Sequence, residues 1–328
     1  MIAVTGANGL LGSFIVRQLI TEEIPFVALK RKGSDISLLD DVADKIQWRD
    51  ADVLDVFSLQ DAFVNITHVI HTAAIVSFNG RRAQEVMDIN VVGTRNVVNT
   101  CIDAGVKRLI HVSSVAALGR QKGQTFIDEN HKWVDSPLNS TYAKSKYLAE
   151  LEVARGQEEG LSTVTINPSV ILAPADWRKS SAQLFKYVWD QRAFYLDAYL
   201  NYVDVRDVAA IAVQLLDSPI EAQRFIVSSG KISFYDFFKK VARFFNKKSP
   251  SIKPPRKLLH LVAGLERMRT WFTKTEPLIT SETVRLAGTE FLYNNKKVRM
   301  ELDFEFQPID TTLHWCCQYY IRQMGTKN

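Results

Sequence analysis

The chain has 328 residues, 46% apolar and 23% charged, with 15 Gly and 10 Pro, a composition that excludes disorder and collagen-like repeats. No apolar run approaches the ~18–20 residues that a bilayer span needs, and Met1 to Gly6 read as a first strand rather than a cleavable leader, so a cytoplasmic location is expected. The net charge of +5 is unevenly spread: residues 231–328 carry 18 Lys+Arg against 9 Asp+Glu, read as a solvated basic surface with no nucleic acid partner expected.

In chain order, the hydrophobic pattern predicts strands at 2–5, 25–30, 46–49, 68–72, 108–113 and 162–167, the third of them weakest. Helical periods fall at 11–21, 81–104 and 141–159. Such alternation predicts an α/β fold, a doubly wound parallel sheet of Rossmann type with helices on both faces. Beyond residue 167 the alternation loosens, and Pro168, Pro174, Pro250, Pro254 and Pro255 punctuate the chain. The expected organisation is a dinucleotide-binding domain over 1–167, with 201–229 returning to it as a strand, a helix and a further strand. A smaller, discontinuous substrate lobe is expected over 168–200 and 230–328.

Within that lobe, Leu258, Leu259, Leu261, Val262, Leu265, Met268 and Phe272 predict a helix with one apolar face and Arg256, Lys257, Arg267 and Arg269 elsewhere. Core packing is its expected role, with weak contact between 256–272 and a membrane surface as the other reading. Phe234, Phe237, Phe238, Phe244 and Phe245 also fit helical core spacing. Cys101, Cys316 and Cys317 show no disulfide framework and no metal-ligand spacing, and no metal site is expected. His68, His71 and His111 lie at or beside strands and are read as scaffold.

The segment Gly6-Ala7-Asn8-Gly9-Leu10-Leu11-Gly12 follows a strand and opens a helix. Gly6 suits a tight turn, Gly9 leaves room for phosphate oxygens, and Gly12 lets helix and strand approach closely. The N–H groups and positive dipole end of the helix then favour an anion such as pyrophosphate.

With the preceding Thr5, this G-x-x-G-x-x-G spacing resembles the extended branch of the short-chain dehydrogenase/reductase superfamily, the epimerase/dehydratase type. Dispersed elements over residues 1–170 carry the resemblance further: Asp52-Val53, Ala73-Ala74, Asn90 to Asn96, Ser113-Ser114, Tyr142-Ala-Lys-Ser-Lys146 and Asn167-Pro168-Ser169. The chain is most similar to the branch holding dihydroflavonol 4-reductase and 3β-hydroxysteroid dehydrogenase-like proteins. The resemblance implies that Asp52 hydrogen-bonds the adenine, Val53 packs on its ring, Ala73 and Ala74 run beneath the cofactor, and Asn90 belongs to the binding set. Asn167, Pro168 and Ser169 would line the nicotinamide end, although related sugar-nucleotide enzymes usually have Arg where Asn167 stands. A homodimer through the helices holding Asn90 and Tyr142 is also implied.

No carboxylate ends the second strand, where an NAD user would hold the ribose hydroxyls. Lys30, Arg31 and Lys32 stand there instead, so NADP is the expected cofactor and NAD the alternative. Tyr142 and Lys146 share a helix face. A nearby ammonium is expected to bring the phenol down from its ordinary value near ~10. Lys146 would also reach the nicotinamide ribose. Gly119 aligns Ser114, ahead of Ser113, with the catalytic serine of the family, a donor typically worth ~2.7–4 kcal/mol to a developing oxyanion. Ile75, Val76, Ser77 and Phe78 are the expected substrate wall.

These residues predict an NADP-dependent oxidoreductase acting on a ketone, aldehyde or secondary alcohol, with Tyr142 as acid/base. Two other readings stay open: a nucleoside-diphosphate-sugar epimerase or dehydratase with tightly held NAD, and a dinucleotide sensor without chemistry.

Overall fold

The computed structural model describes residues 1–177, 181–255 and 290–325. Its strands are β1 (Ile2–Thr5), β2 (Phe26–Lys30), β3 (Trp48–Asp50), β4 (His68–His71), β5 (Arg108–Val112), β6 (Phe126–Ile127), β7 (Ser162–Pro168), β8 (Val170–Leu172), β9 (Tyr199–Asp204), β10 (Gln223–Val227), β11 (Gly230–Ser233) and β12 (Leu292–Tyr293). The helices are α1 (Leu10–Thr21), α2 (Val56–Ala62), α3 (Ala83–Met87), α4 (Gly93–Asp103), α5 (Thr141–Glu158), α6 (Ala182–Trp189), α7 (Val205–Gln214), α8 (Phe234–Phe245), α9 (Lys296–Glu301) and α10 (Ile309–Gly325).

Seven strands form one sheet in the order β10-β7-β5-β4-β1-β2-β3, and every neighbouring pair is parallel. The chain builds β1, β2 and β3 outward in one direction and then returns to lay β4 on the other side of β1. The resulting switch point opens a crevice at the carboxyl ends of β1 and β4, the place where such sheets bind ligands.

Side-chain alternation along the strands explains the layers. Val4, Ala28, Ile70 and Ile110 point to one face and pack with Leu11, Ile15, Val16 and Leu19 of α1 and Val208, Ile211 and Ala212 of α7. Ala3, Val27, Leu29, Val69 and Leu109 point to the other and meet Leu59 of α2, Val97, Val98 and Cys101 of α4 and Val153 of α5. Both faces are apolar because both are covered, which is why the strands read as near-continuous hydrophobic runs. Arg108 locks one edge: its buried guanidinium donates to the Leu215 carbonyl at 2.9 Å and also to the carbonyls of Ser218 and Ile220, closing the carboxyl end of α7 with positive charge.

The periodic stretch expected to be one helix over 81–104 is broken. It runs as a short 3₁₀ turn at Gly80–Arg82, then α3, a π turn at Asp88–Val92, and α4. The π turn surrounds Asn90, whose amide is clamped to the backbone of Ile75, as described below.

The region after β7 assembles around a second apolar cluster. A three-stranded sheet, β11-β9-β8, underlies α6, α8 and α10, with Leu172, Phe185, Leu200, Phe237, Phe245, Leu313 and Tyr320 buried together. Ser233 caps α8 by accepting from the Asp236 N–H at 3.0 Å. Of the segment 201–229 expected to return to the first domain, α7 packs on α1 and β10 joins the seven-stranded sheet, whereas β9 joins the small sheet. The amphipathic stretch 256–272 lies outside the described residues. Among the described residues no helix is long and apolar enough to cross a membrane.

Candidate active site

The crevice starts with the glycine turn. Gly6 has φ +65°, and a Cβ there would sit 2.8 Å from the Ala73 backbone, so β1 and the loop after β4 approach as only glycine allows. At Gly12 a Cβ would collide with the Gly6 carbonyl and lie 2.8 Å from the Ala7 Cα. Gly9 caps α1 without any side-chain hydrogen bond, leaving the first N–H groups near Leu10 and Leu11 without an internal acceptor. Asn8 closes the turn by donating to the Asp35 carbonyl at 2.9 Å.

Around this cradle, the Thr5 hydroxyl lies 2.7 Å from His71 Nδ1, and His71 Nε2 lies 3.1 Å from the Thr94 hydroxyl. Thr5, His71, His111 and Thr165 are in register across four adjacent strands, forming a polar row beneath α4 and α5. Burial, assisted by the charge of Lys146, pushes His71 down to about 3 and His111 well below its ordinary value, so both rings are neutral.

Asn90 accepts from the Ile75 N–H at 2.8 Å and donates to the Ile75 carbonyl at 3.0 Å and the Ser145 hydroxyl at 2.9 Å. Its amide therefore fixes the 73–78 loop and α5 rather than facing the crevice. Within that loop Val76 and Phe78 are exposed, while Ser77 is buried and accepts from the Asn79 N–H. The Phe78 ring meets the Tyr142 ring edge-on at 5.8 Å.

Tyr142 and Lys146 are buried on one face of α5, and Lys146 Nζ donates to the Val112 carbonyl at 2.8 Å. Ser114 ends the segment after β5 and accepts from the Ala116 N–H at 3.2 Å. The expected lowering of that phenol by Lys146 is not what the geometry yields. Burial raises Tyr142 above its ordinary value, and the Ser114 hydroxyl is the influence that opposes it. Lys146 is itself pushed down to about 8 by burial, against the charge of Glu150.

At the end of β7, Asn167 donates to the Ser114 carbonyl at 2.9 Å and to Glu150 at 2.6 Å. Pro168 is buried as the last residue of the strand. Asn167 Oδ1 and the Ser169 hydroxyl are buried without a partner. Two such groups at the crevice, together with a glycine turn that Cβ atoms would fill, fit a dinucleotide with its phosphates at α1 and its far end at β7.

The basic triplet after β2 divides. Lys30 is held by Asp50 at 2.7 Å over the Trp48 ring, so it does not serve as a free phosphate ligand. Arg31 and Lys32 are exposed at the following turn. Asp52 accepts from the Leu54 N–H, and Val53 packs against Gly93, where a Cβ would come within 2.7 Å of it. Ala73 and Ala74 continue β4 into the crevice wall. Two residues that sequence reasoning missed belong to the same cluster: Glu150, signalled only by its helix spacing from Lys146, and Arg224, which nothing local announces.

Fold and site together define an enzyme of the extended short-chain dehydrogenase/reductase type. Residues 3–238 match the model of the 3-beta hydroxysteroid dehydrogenase/isomerase family, and the chain belongs to that family. It is 28% identical to sterol demethylase protein B of Methylococcus capsulatus over 91% of this chain and 92% of that one. It is 27% identical to a putative dihydroflavonol 4-reductase of Synechocystis over 95% and 93% of the two chains. The crystal structure of gox2253 superposes with a TM-score of 0.84 at 27% identity, covering 99% of this chain and 98% of that one.

Proposed function

We propose that the protein is an NADP-dependent oxidoreductase that interconverts a ketone or aldehyde and the corresponding alcohol on an apolar small molecule, with Tyr142 as the proton donor and acceptor. The observation that carries this reading is the buried Tyr142 ring on one helix face with Lys146, met edge-on by Phe78 at 5.8 Å and with Ser114 as the hydroxyl that favours its ionisation. A phenol beside a hydroxyl and an aromatic ring suits an oxygen carried on a hydrocarbon scaffold.

Gly6, Gly9, Gly12 and the N–H groups at Leu10 and Leu11 would hold the pyrophosphate. Arg31 and Lys32 would take the 2′-phosphate, Asp52 and Val53 the adenine, and Ser169 the nicotinamide end. A bound nicotinamide supplies or accepts hydride. Ser114 and Tyr142 then orient the substrate oxygen, and Tyr142 gives its proton to that oxygen as charge develops. A phenol raised by burial stays protonated at neutral pH, which suits reduction; oxidation, in which Tyr142 must first lose its proton, is favoured at higher pH. Val76 and Phe78, both exposed, would line the substrate's approach. Sterol-like and flavonoid-like scaffolds are the substrate classes suggested by the relatives' names.

The test is a titration with NADPH and NADH read by nicotinamide fluorescence, followed by a panel of apolar carbonyl compounds. Net NADPH consumption is expected, and Tyr142→Phe should retain dinucleotide binding while losing at least about 100-fold in kcat. Tightly held NAD without net turnover, or a Tyr142→Phe variant as fast as the native enzyme, would refute the reading.

A further inference from the structure

The face of α5 that holds Tyr142 and Lys146 carries a third ionisable group. Glu150 lies one helical turn beyond Lys146, and its side chain is only 11% exposed. One carboxylate oxygen accepts from Asn167 Nδ2 at 2.6 Å, and the other lies 3.3 Å from Arg224 Nη1. The same Asn167 nitrogen donates to the Ser114 carbonyl at 2.9 Å. Arg224 is braced from behind by the carbonyls of Glu129 at 2.8 Å and His131 at 3.2 Å. A continuous polar path thus runs from β10 through α5 and β7 to the segment bearing Ser114.

The charges facing this path are few. From the sheet come His71 and His111, both neutral. From β10 comes Arg224, from the loop that braces it come the Glu129 carboxylate, which accepts from the Ile226 N–H at 2.9 Å, and His131, lowered by burial against the charge of Asp128, and from α5 itself come Lys146 and the uncharged Tyr142. Burial raises the Glu150 carboxyl, while the Ser113 hydroxyl, Arg224, Asn167 and Lys146 all favour its ionised form. Against the burial that lowers Lys146, the charge of Glu150 is the opposing influence.

We propose that Glu150 is a positioning residue for Ser114 and Lys146: clamped between Asn167 and Arg224, its carboxylate supplies the counter-charge of the Lys146 ammonium and, through Asn167, fixes the Ser114 segment. The assignment rests on the functional reading above. It also gives Asn167 a role that does not depend on touching a ligand: the amide holds the carboxylate and the Ser114 backbone at once. A carboxylate that merely filled space would leave Lys146 indifferent to its charge.

The test follows Lys146 in protein carrying lysine labelled with ¹³C at Cε, its resonance assigned with Lys146→Met. In Glu150→Gln the Lys146 midpoint should fall by about one pH unit or more, and Glu150→Asp should recover most of that shift. The pH profile of kcat should move to lower pH in Glu150→Gln, with the KM for NADPH unchanged. An unchanged Lys146 midpoint in Glu150→Gln overturns the proposal even if activity falls. Should that variant not fold, native protein labelled at the glutamate carboxyl decides: Glu150 must be ionised at pH 7, and a protonated Glu150 overturns the proposal. Because the Lys146 titration needs no substrate, a native protein that reduces no carbonyl while Lys146 shifts as expected refutes the oxidoreductase reading and leaves the charge coupling standing.

Discussion

The glycine turn is open to a quantitative test through Gly12→Ala. An alanine Cβ at this position has backbone as its three nearest neighbours: the Gly6 carbonyl oxygen, the Ala7 Cα at 2.8 Å and the Gly6 carbonyl carbon at 2.9 Å. No side chain can rotate away, so α1 must shift as a body from its seat against β1 and α7. Overpacking of this kind costs about 1–3 kcal/mol. At about 1.5 °C per kcal/mol for a chain of this length, thermal unfolding should drop by roughly 1.5–4.5 °C. The same shift moves the N–H groups at the start of α1, so NADPH affinity, read by fluorescence titration, should weaken by about tenfold for each 1.4 kcal/mol of lost phosphate interaction. Gly105→Ala is the control, because Gly105 has φ +65° but nothing within 4 Å of its would-be Cβ. That variant should lose about 1–2 kcal/mol to backbone strain alone and bind NADPH like the native protein. The reasoning fails if Gly12→Ala melts and binds as the native protein does, or if Gly105→Ala weakens binding equally.

Arg31→Ala should raise the Kd for NADPH about tenfold or more while leaving NADH binding nearly unchanged, since a charge-assisted contact to a phosphate is worth about 1.5–3 kcal/mol. Equal weakening of both dinucleotides in parallel titrations would remove Arg31 from the 2′-phosphate site, and Lys30→Ala should be mild because Asp50 already engages it. Asp207, buried where α7 meets the Gln307 N–H at 3.0 Å, is pushed up to about 7 by burial, with the Gln307 N–H opposing and the Asp204 charge assisting. Its folded value lies above its unfolded value, so the folded protein binds the extra proton. Stability from this group is therefore full below about pH 4 and is lost as pH rises through about 7. Urea unfolding of Asp207→Asn across pH 5–8 should lose that component of the slope; a profile parallel to the native one would contradict the assignment.

Much of this molecule was legible in one dimension because the information is local. The alternation of Val4, Ala28, Ile70 and Ile110 with Ala3, Val27, Val69 and Leu109 announces strands covered on both faces, and the glycines at 6, 9 and 12 mark where backbone must turn and approach. The spacing of Tyr142 and Lys146 follows from the helical repeat alone. What neighbours do to those groups is not local. Whether Lys146 acidifies Tyr142 or sits on the Val112 carbonyl depends on how deeply α5 is buried. Whether Lys30 faces a phosphate or Asp50 depends on β2 pairing with β3. Asn90 entered through the family resemblance as a binding residue, but its clamp on Ile75 needed a π turn and a loop brought beside it. Glu150 and Arg224 are 74 positions apart and meet only because β10 lies beside β7 in the sheet. Periodicity determines which residues face inward; strand order and burial decide which charges find each other, since electrostatic influence depends on distance and dielectric in the folded chain and not on separation along it.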